Sequence, residues 1–197
     1  MKSAFEVDLI YSSAASRRRR CARVQCDMKA LYSDQEPIFD PPSIFLAGPT
    51  PRTDQVVSWR RQALQILQQM GFPGTVLIPE RRDWVSSFDY IDQVEWEFTC
   101  LEAATVIAFW IPRDLVSLPG FTTNVEFGRY VGSGKCVYGR PASASKNRYL
   151  DWLYHKLTDE SPCGTLDDTL RAAVARAFRM APGKTIPVDA KLEEIIR

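Results

Sequence analysis

One histidine, five scattered cysteines and a near-zero net charge remove several function classes before any motif is read. His155 cannot by itself supply a His-rich metal site, and a Ser-His-Asp triad would have to use this one imidazole. It falls in a stretch dense in Trp and Tyr, where a structural role is expected. Cys21, Cys26, Cys100, Cys136 and Cys163 are odd in number and contain no CxxC pair, so no disulfide framework and no metal site is expected. The 25 basic and 24 acidic residues leave a net charge of +1, too little for a whole-molecule field that draws in DNA or an acidic membrane. No apolar run reaches the ~20 residues of a membrane-spanning helix. Met1 to Tyr11 carries Glu6 and Asp8 and lacks an apolar block before a cleavage site, so it is a poor signal peptide. A cytoplasmic protein without cofactor is the expectation.

What remains is a chain of 197 residues, 45% hydrophobic, enough for one domain with an appendage. Residues 1–42 read as the appendage. Phe5, Val7, Leu9 and Tyr11 alternate with Glu6, Asp8 and Ile10, and Ala22, Val24, Cys26 and Met28 with Arg23, Gln25 and Asp27. Period-two alternation predicts two strands with one buried face each, hence a hairpin with a basic tip at Arg17–Arg20 and then a linker over Pro37–Pro42. A basic run can touch nucleic acid, but in a neutral chain a solvated loop is the reading kept.

From residue 43 to 197 the period changes. Continuous apolar runs at Ser43–Ala47, Thr75–Ile78, Thr105–Trp110 and Lys135–Tyr138 predict buried strands. Between them lie helical patterns over Thr53–Met70, Phe88–Ala103 and Thr122–Val131, and two more helices follow over Asn147–Lys156 and Leu166–Met180. Such alternation predicts an α/β fold, a flavodoxin- or Rossmann-like parallel sheet with helices on both faces. Ligands of these sheets bind beyond the carboxyl ends of the strands, where strand order reverses. Gly48-Pro49-Thr50, Pro79-Glu80, Pro112 to Asn124 and Gly139-Arg140 are therefore expected along one edge.

Two segments there carry chemistry. Thr122 or Thr123 is read as the cap of the third helix, which would put Glu126 in its first turn, where the helix dipole favours a carboxylate. An ionised carboxylate at that edge suits nucleophilic attack on a sugar's anomeric carbon; complementing the dipole is the plainer use. On the second helix Ile91, Val94, Phe98 and Leu101 form the expected buried stripe, with Glu97 at its border. Trp96 then projects onto the wet face, which suggests a subunit interface or a ligand wall, the interface being favoured.

The segments IFLAGPTPR (Ile44–Arg52), SWRRQAL (Ser58–Leu64), VLIPE (Val76–Glu80), VEWEFTCLEAATVIAFWIPR (Val94–Arg113) and TTNVEFGRY (Thr122–Tyr130) succeed one another as in the nucleoside 2-deoxyribosyltransferase-like family. The chain resembles that family over about half its length. The resemblance implies cleavage of an N-glycosidic bond in a nucleoside or nucleotide, in homo-oligomers where a neighbouring subunit can complete the site. It implies Glu126 as nucleophile and Glu97 at the position that helps protonate the leaving base. Gly48 and Pro49 match the loop lying along the ligand, and Asn124 the stretch that contacts sugar hydroxyls. Where well-studied members have an aspartate before the nucleophile, this chain has Leu118-Pro119-Gly120-Phe121, so a sugar-binding carboxylate would come from Asp89 or Asp92. Phe109, Trp110 or Phe121 could stack on the base, and Arg52, Arg60 or Arg140 could meet a 5′-phosphate. Transfer to a second base and hydrolysis, including that of a nucleoside 5′-monophosphate, fit the same residues. The rivals from other classes are a non-catalytic nucleotide-binding regulatory module and a nucleic-acid adaptor working through Arg17–Arg20.

Overall fold

The computed structural model describes residues 28–53, 55–82, 89–181 and 190–196. The hairpin expected over Phe5 to Met28, with Arg17–Arg20, lies outside the described residues apart from Met28. Five strands, β1 (Lys29–Tyr32), β2 (Ser43–Ala47), β3 (Thr75–Ile78), β4 (Val106–Trp110) and β5 (Cys136–Gly139), form one sheet in the order β1-β3-β2-β4-β5. Every pairing is parallel. Counted from β2, the strands follow the order with which a flavodoxin-like sheet begins, and the order reverses between β2 and β4. β1, which the sequence pattern does not assign, occupies the edge beside β3 with Leu31 opposite Leu77.

Helices α1 (Trp59–Gln69), α2 (Tyr90–Ala103), α3 (Phe121–Tyr130), α4 (Arg148–Thr158), α5 (Leu166–Met180) and α6 (Ala190–Ile196) cover the sheet. Successive strand side chains point to opposite faces, so the core falls into two layers. Ile44, Leu46, Val76, Ile78, Val106, Ala108 and Trp110 pack with Trp59, Ala63 and Leu67 of α1 and Leu170, Ala173 and Val174 of α5. Phe45, Ala47, Leu77, Ile107, Phe109 and Tyr138 pack with Trp96 and Cys100 of α2, Phe127 of α3 and Tyr154 of α4. Phe127 is the hub of the second layer, edge-on to Phe109 at 5.1 Å and to Tyr138 at 4.9 Å. Both strand faces are apolar because both are covered.

Three local expectations change. The helix expected from Thr53 begins at Trp59, because Ser58 adopts extended backbone and its hydroxyl accepts from Arg60 N. On α2 three of the four residues of the expected stripe face outward, Ile91 56%, Val94 41% and Phe98 49% exposed, while Leu101 is buried as expected. The inward face is Gln93, Trp96, Glu97, Cys100 and Leu101, spaced as one side of a helix requires. Trp96 therefore lies in the core, 8% exposed, its ring 6.4 Å from Phe45 and its indole N–H donating to Gln35 O at 2.8 Å. Two polar side chains inside that stripe hide its periodicity, and the apolar residues opposite supply a false one.

The third change concerns α3. Its cap is Gly120 in the left-handed region (φ 63°), and no threonine hydroxyl caps it. Thr123 is buried, and a Cβ on Gly120 would come within 3.2 Å of Pro49 Cβ, so the chain enters the helix against the β2 loop. Beginning at Phe121, α3 has no acidic residue in its first turn, and Glu126 falls in the second.

Trp96→Ala should lower unfolding free energy by roughly 3–5 kcal/mol, while Ile91→Ala should change it by about 0.5 kcal/mol or less. Urea unfolding of the two variants checks the orientation of α2, and the reverse ranking would contradict it.

Candidate active site

The ends of β2 and β3 are bound together by one buried cation. Arg60 on α1 is 1% exposed, and its guanidinium donates to Leu46 O (2.9 Å), Gly48 O (2.7 Å), Thr50 Oγ1 (3.2 Å) and Glu80 Oε1 (2.7 Å). Ser58 donates to the same Glu80 oxygen at 2.7 Å. A buried guanidinium is tolerated when its donors are matched and a carboxylate faces it. Here both hold, so the turns after β2 and β3 are fixed. Gly48 passes so close beneath β4 that a Cβ would lie 2.1 Å from Trp110 O, at a φ of +149° that other residues rarely adopt. Trp59 completes the clamp by donating its indole N–H to Pro49 O at 3.1 Å.

Above this platform stand two half-buried carboxyls. Glu97 reaches in from α2, where Gln93, one turn earlier, donates to its Oε1 at 2.6 Å and to Pro79 O at 3.3 Å. Glu126 reaches in from α3 and is hydrogen-bonded to Glu97. Burial raises the pKa of Glu97, against the opposing pull of Gln93 and Arg60. Burial and the neighbouring charge of Glu97 push Glu126 up to about 7. Two carboxyls in contact in a desolvated site share one proton and titrate as a pair. Gln93 donates to Glu97 alone and favours its charged form, while Arg60 acts on both, so the pair holds its proton preferentially on Glu126. The dipole of α3 offers Glu126 little help, since its effect fades beyond the first turn. Neither carboxylate forms an ion pair with another described residue.

Of the residues singled out in the sequence, the structure brings together Glu126, Glu97, Gly48 and Pro49 at the edge where strand order reverses. Asn124 points elsewhere: it is two residues, about 200°, from Glu126 around α3, and its Oδ1 accepts from Arg113. Trp110 is buried in the α1/α5 layer, across the sheet from α3. Asp92 is exposed on α2, five residues and about 140° from Glu97, and Asp89 caps that helix by accepting from Ile91 N. Phe109 is core. Phe121 is exposed near the entry to α3, with the Arg52 guanidinium 5.7 Å over its ring. Arg60 is committed to the platform and Arg140 to Asp151 at 2.7 Å. Gln93 escapes the sequence reading; its sign is the i, i+4 spacing to Glu97.

Fold and site together define an α/β protein whose carboxyl sheet edge carries a pair of half-buried carboxyls. A family model described as nucleoside 2-deoxyribosyltransferase like matches residues 41–143, more than half the chain, and every element of that centre falls within it. The chain belongs to this family. No individual curated protein matches it. Among the described residues no helix is long and apolar enough to cross a membrane.

A carboxyl whose folded pKa is raised stabilises the fold fully below its unfolded pKa and loses that contribution as pH rises through the folded value. For Glu126 the window runs from 4.5 to about 7. Stability should therefore fall across that range in the wild type and fall less in Glu126→Gln, as thermal unfolding at a series of pH values will read; equal slopes in both would contradict the buried pair.

Proposed function

We propose that the protein cleaves the N-glycosidic bond of a nucleoside or nucleotide by a retaining double displacement through a glycosyl ester on Glu126. The observation that carries this reading is the meeting of two half-buried carboxyls, Glu97 and Glu126, at the carboxyl edge of the sheet. As Glu126 ionises, its proton passes along the hydrogen bond to Glu97. A Glu126 oxygen then bonds to C1′ while the C1′–N bond breaks through an oxocarbenium-like transition state, and Glu97 gives the proton to the departing base. In the second half a free base or water attacks C1′, the ester bond breaks, and Glu97 takes up the proton released by the incoming group. The pair returns to its starting state with configuration retained. The close approach of the carboxyls favours retention over inversion, because retaining pairs stand ~5–5.5 Å apart and inverting pairs ~6.5–9.5 Å with a water between.

The fixed turn at Gly48 and Pro49 forms the wall along which the ligand lies, and Phe121 with Arg52 offers an aromatic and cationic rim. The outward face of α2, with Ile91, Val94 and Phe98, gives a second copy of the chain an apolar surface beside the site.

Incubation with a panel of nucleosides, with and without a second free base, tests the reading: base exchange marks a transferase, and free sugar alone a hydrolase. Glu126→Gln should abolish both, and mass spectrometry of quenched wild-type reactions should place a sugar adduct on the peptide containing Glu126. Unchanged turnover in that variant would refute the mechanism.

Glu97→Gln should slow release of a natural base by ~10²–10⁴-fold, with a much smaller effect on a nitrophenyl glycoside that leaves without a proton. Equal losses on both substrates would assign Glu97 a structural role.

A further inference from the structure

On the side of α3 away from Glu126 lies a second buried cation, and this one has no acid to balance it. Arg113 follows β4 and is 6% exposed. Its guanidinium donates to Lys146 O at 3.1 Å and to Asn124 Oδ1. Its Nε finds no partner, and it forms no ion pair among the described residues. Desolvation lowers its pKa. Two other arginines of this edge are neutralised, Arg60 by Glu80 and Arg140 by Asp151. A desolvated guanidinium facing only neutral oxygens is costly unless an anion completes it.

The surroundings point the same way. Arg113 lines a cavity of about 200 Å³ together with Asn124, Gly128, Lys146, Tyr149 and Leu150. The cavity opens beside the N-terminal turn of α4, an 11-residue helix whose cap, Asn147, makes no side-chain cap bond. Asn147 is itself 2% exposed and its Oδ1 is unpaired. Lys146 takes a left-handed conformation (φ 55°) immediately before it, which aims its carbonyl at Arg113 and leaves the ammonium at the exposed rim. A planar guanidinium and a lysine around one hollow are the donors that phosphate selects.

We infer that the groove between α3 and α4 is a second ligand site, which takes a phosphate-type dianion, free or as a monoester, with Arg113 at its floor. Tyr149, exposed and 5.8 Å from the Trp152 ring, provides an aromatic flank for the organic part of a monoester. The site is separate from the Glu97–Glu126 centre and stands whether or not that centre is catalytic.

Calorimetric titration of the whole protein with inorganic phosphate and with phenyl phosphate tests it. The wild type should bind at least one of them saturably, one per chain; equal affinities would identify free phosphate as the ligand, and tighter phenyl phosphate an organic monoester. Arg113→Gln should weaken binding at least about tenfold. Because Arg113 also ties α3 to the α4 loop, Gly128 supplies variants that do not depend on it: a Cβ there meets open space. Gly128→Ala should bind as the wild type does, and Gly128→Glu, which places a carboxylate in the groove, should not bind. Glu126→Gln should bind normally. Absence of saturable binding in the wild type, or wild-type binding by Gly128→Glu, would overturn the inference.

Discussion

The structure depends on Arg60. Five strands in parallel can be held by apolar burial alone, but that burial does not determine the paths of the turns that leave them. A guanidinium sealed beneath those turns does, because each of its donors requires an acceptor. Leu46, Gly48, Thr50 and Glu80 supply them, and the turns after β2 and β3 become one rigid platform. The same charge lies close enough to act on both Glu97 and Glu126. One buried cation thus fixes the floor of the site and moderates the repulsion of the carboxyls above it.

Those carboxyls occupy positions that a stability-driven core would fill with apolar side chains. Glu97 and Gln93 sit on the sheet-facing side of α2, between Cys100 and Leu101 around the helix. Burial raises the proton affinity of both, and the charge of Glu97 helps carry that of Glu126 up to about 7. Local stability is given up where two acids take the place of apolar side chains.

Arg113 shows the contrasting arrangement on the other side of the same helix. Arg60 has its counter-charge built in; Arg113 has only amide and carbonyl oxygens. Helix α3 therefore separates an acidic centre from a basic groove by little more than its own diameter.

The strand runs at Ser43–Ala47, Thr75–Ile78, Thr105–Trp110 and Lys135–Tyr138 are legible in the sequence to within one residue, because strands buried on both faces are continuously apolar. Gly48 and Pro49 at the ligand edge are legible for the same reason, since a strand's carboxyl end is marked by its breaker. Glu97 and Glu126 are legible as acids in recurring segments. Their contact is not, and neither is the orientation of α2. A helical wheel ranks faces by hydropathy, and here the face turned toward the sheet carries Gln93 and Glu97 while Ile91, Val94 and Phe98 look outward. Strand β1 escapes because at the sheet edge only Leu31 of its four residues is fully buried, so it makes no continuous apolar run. The start of α3 escapes because its cap is a left-handed glycine packed on Pro49. Sequence determines what each segment buries along its own length; which polar groups meet, and at what pKa, is decided only when distant segments share one desolvated space.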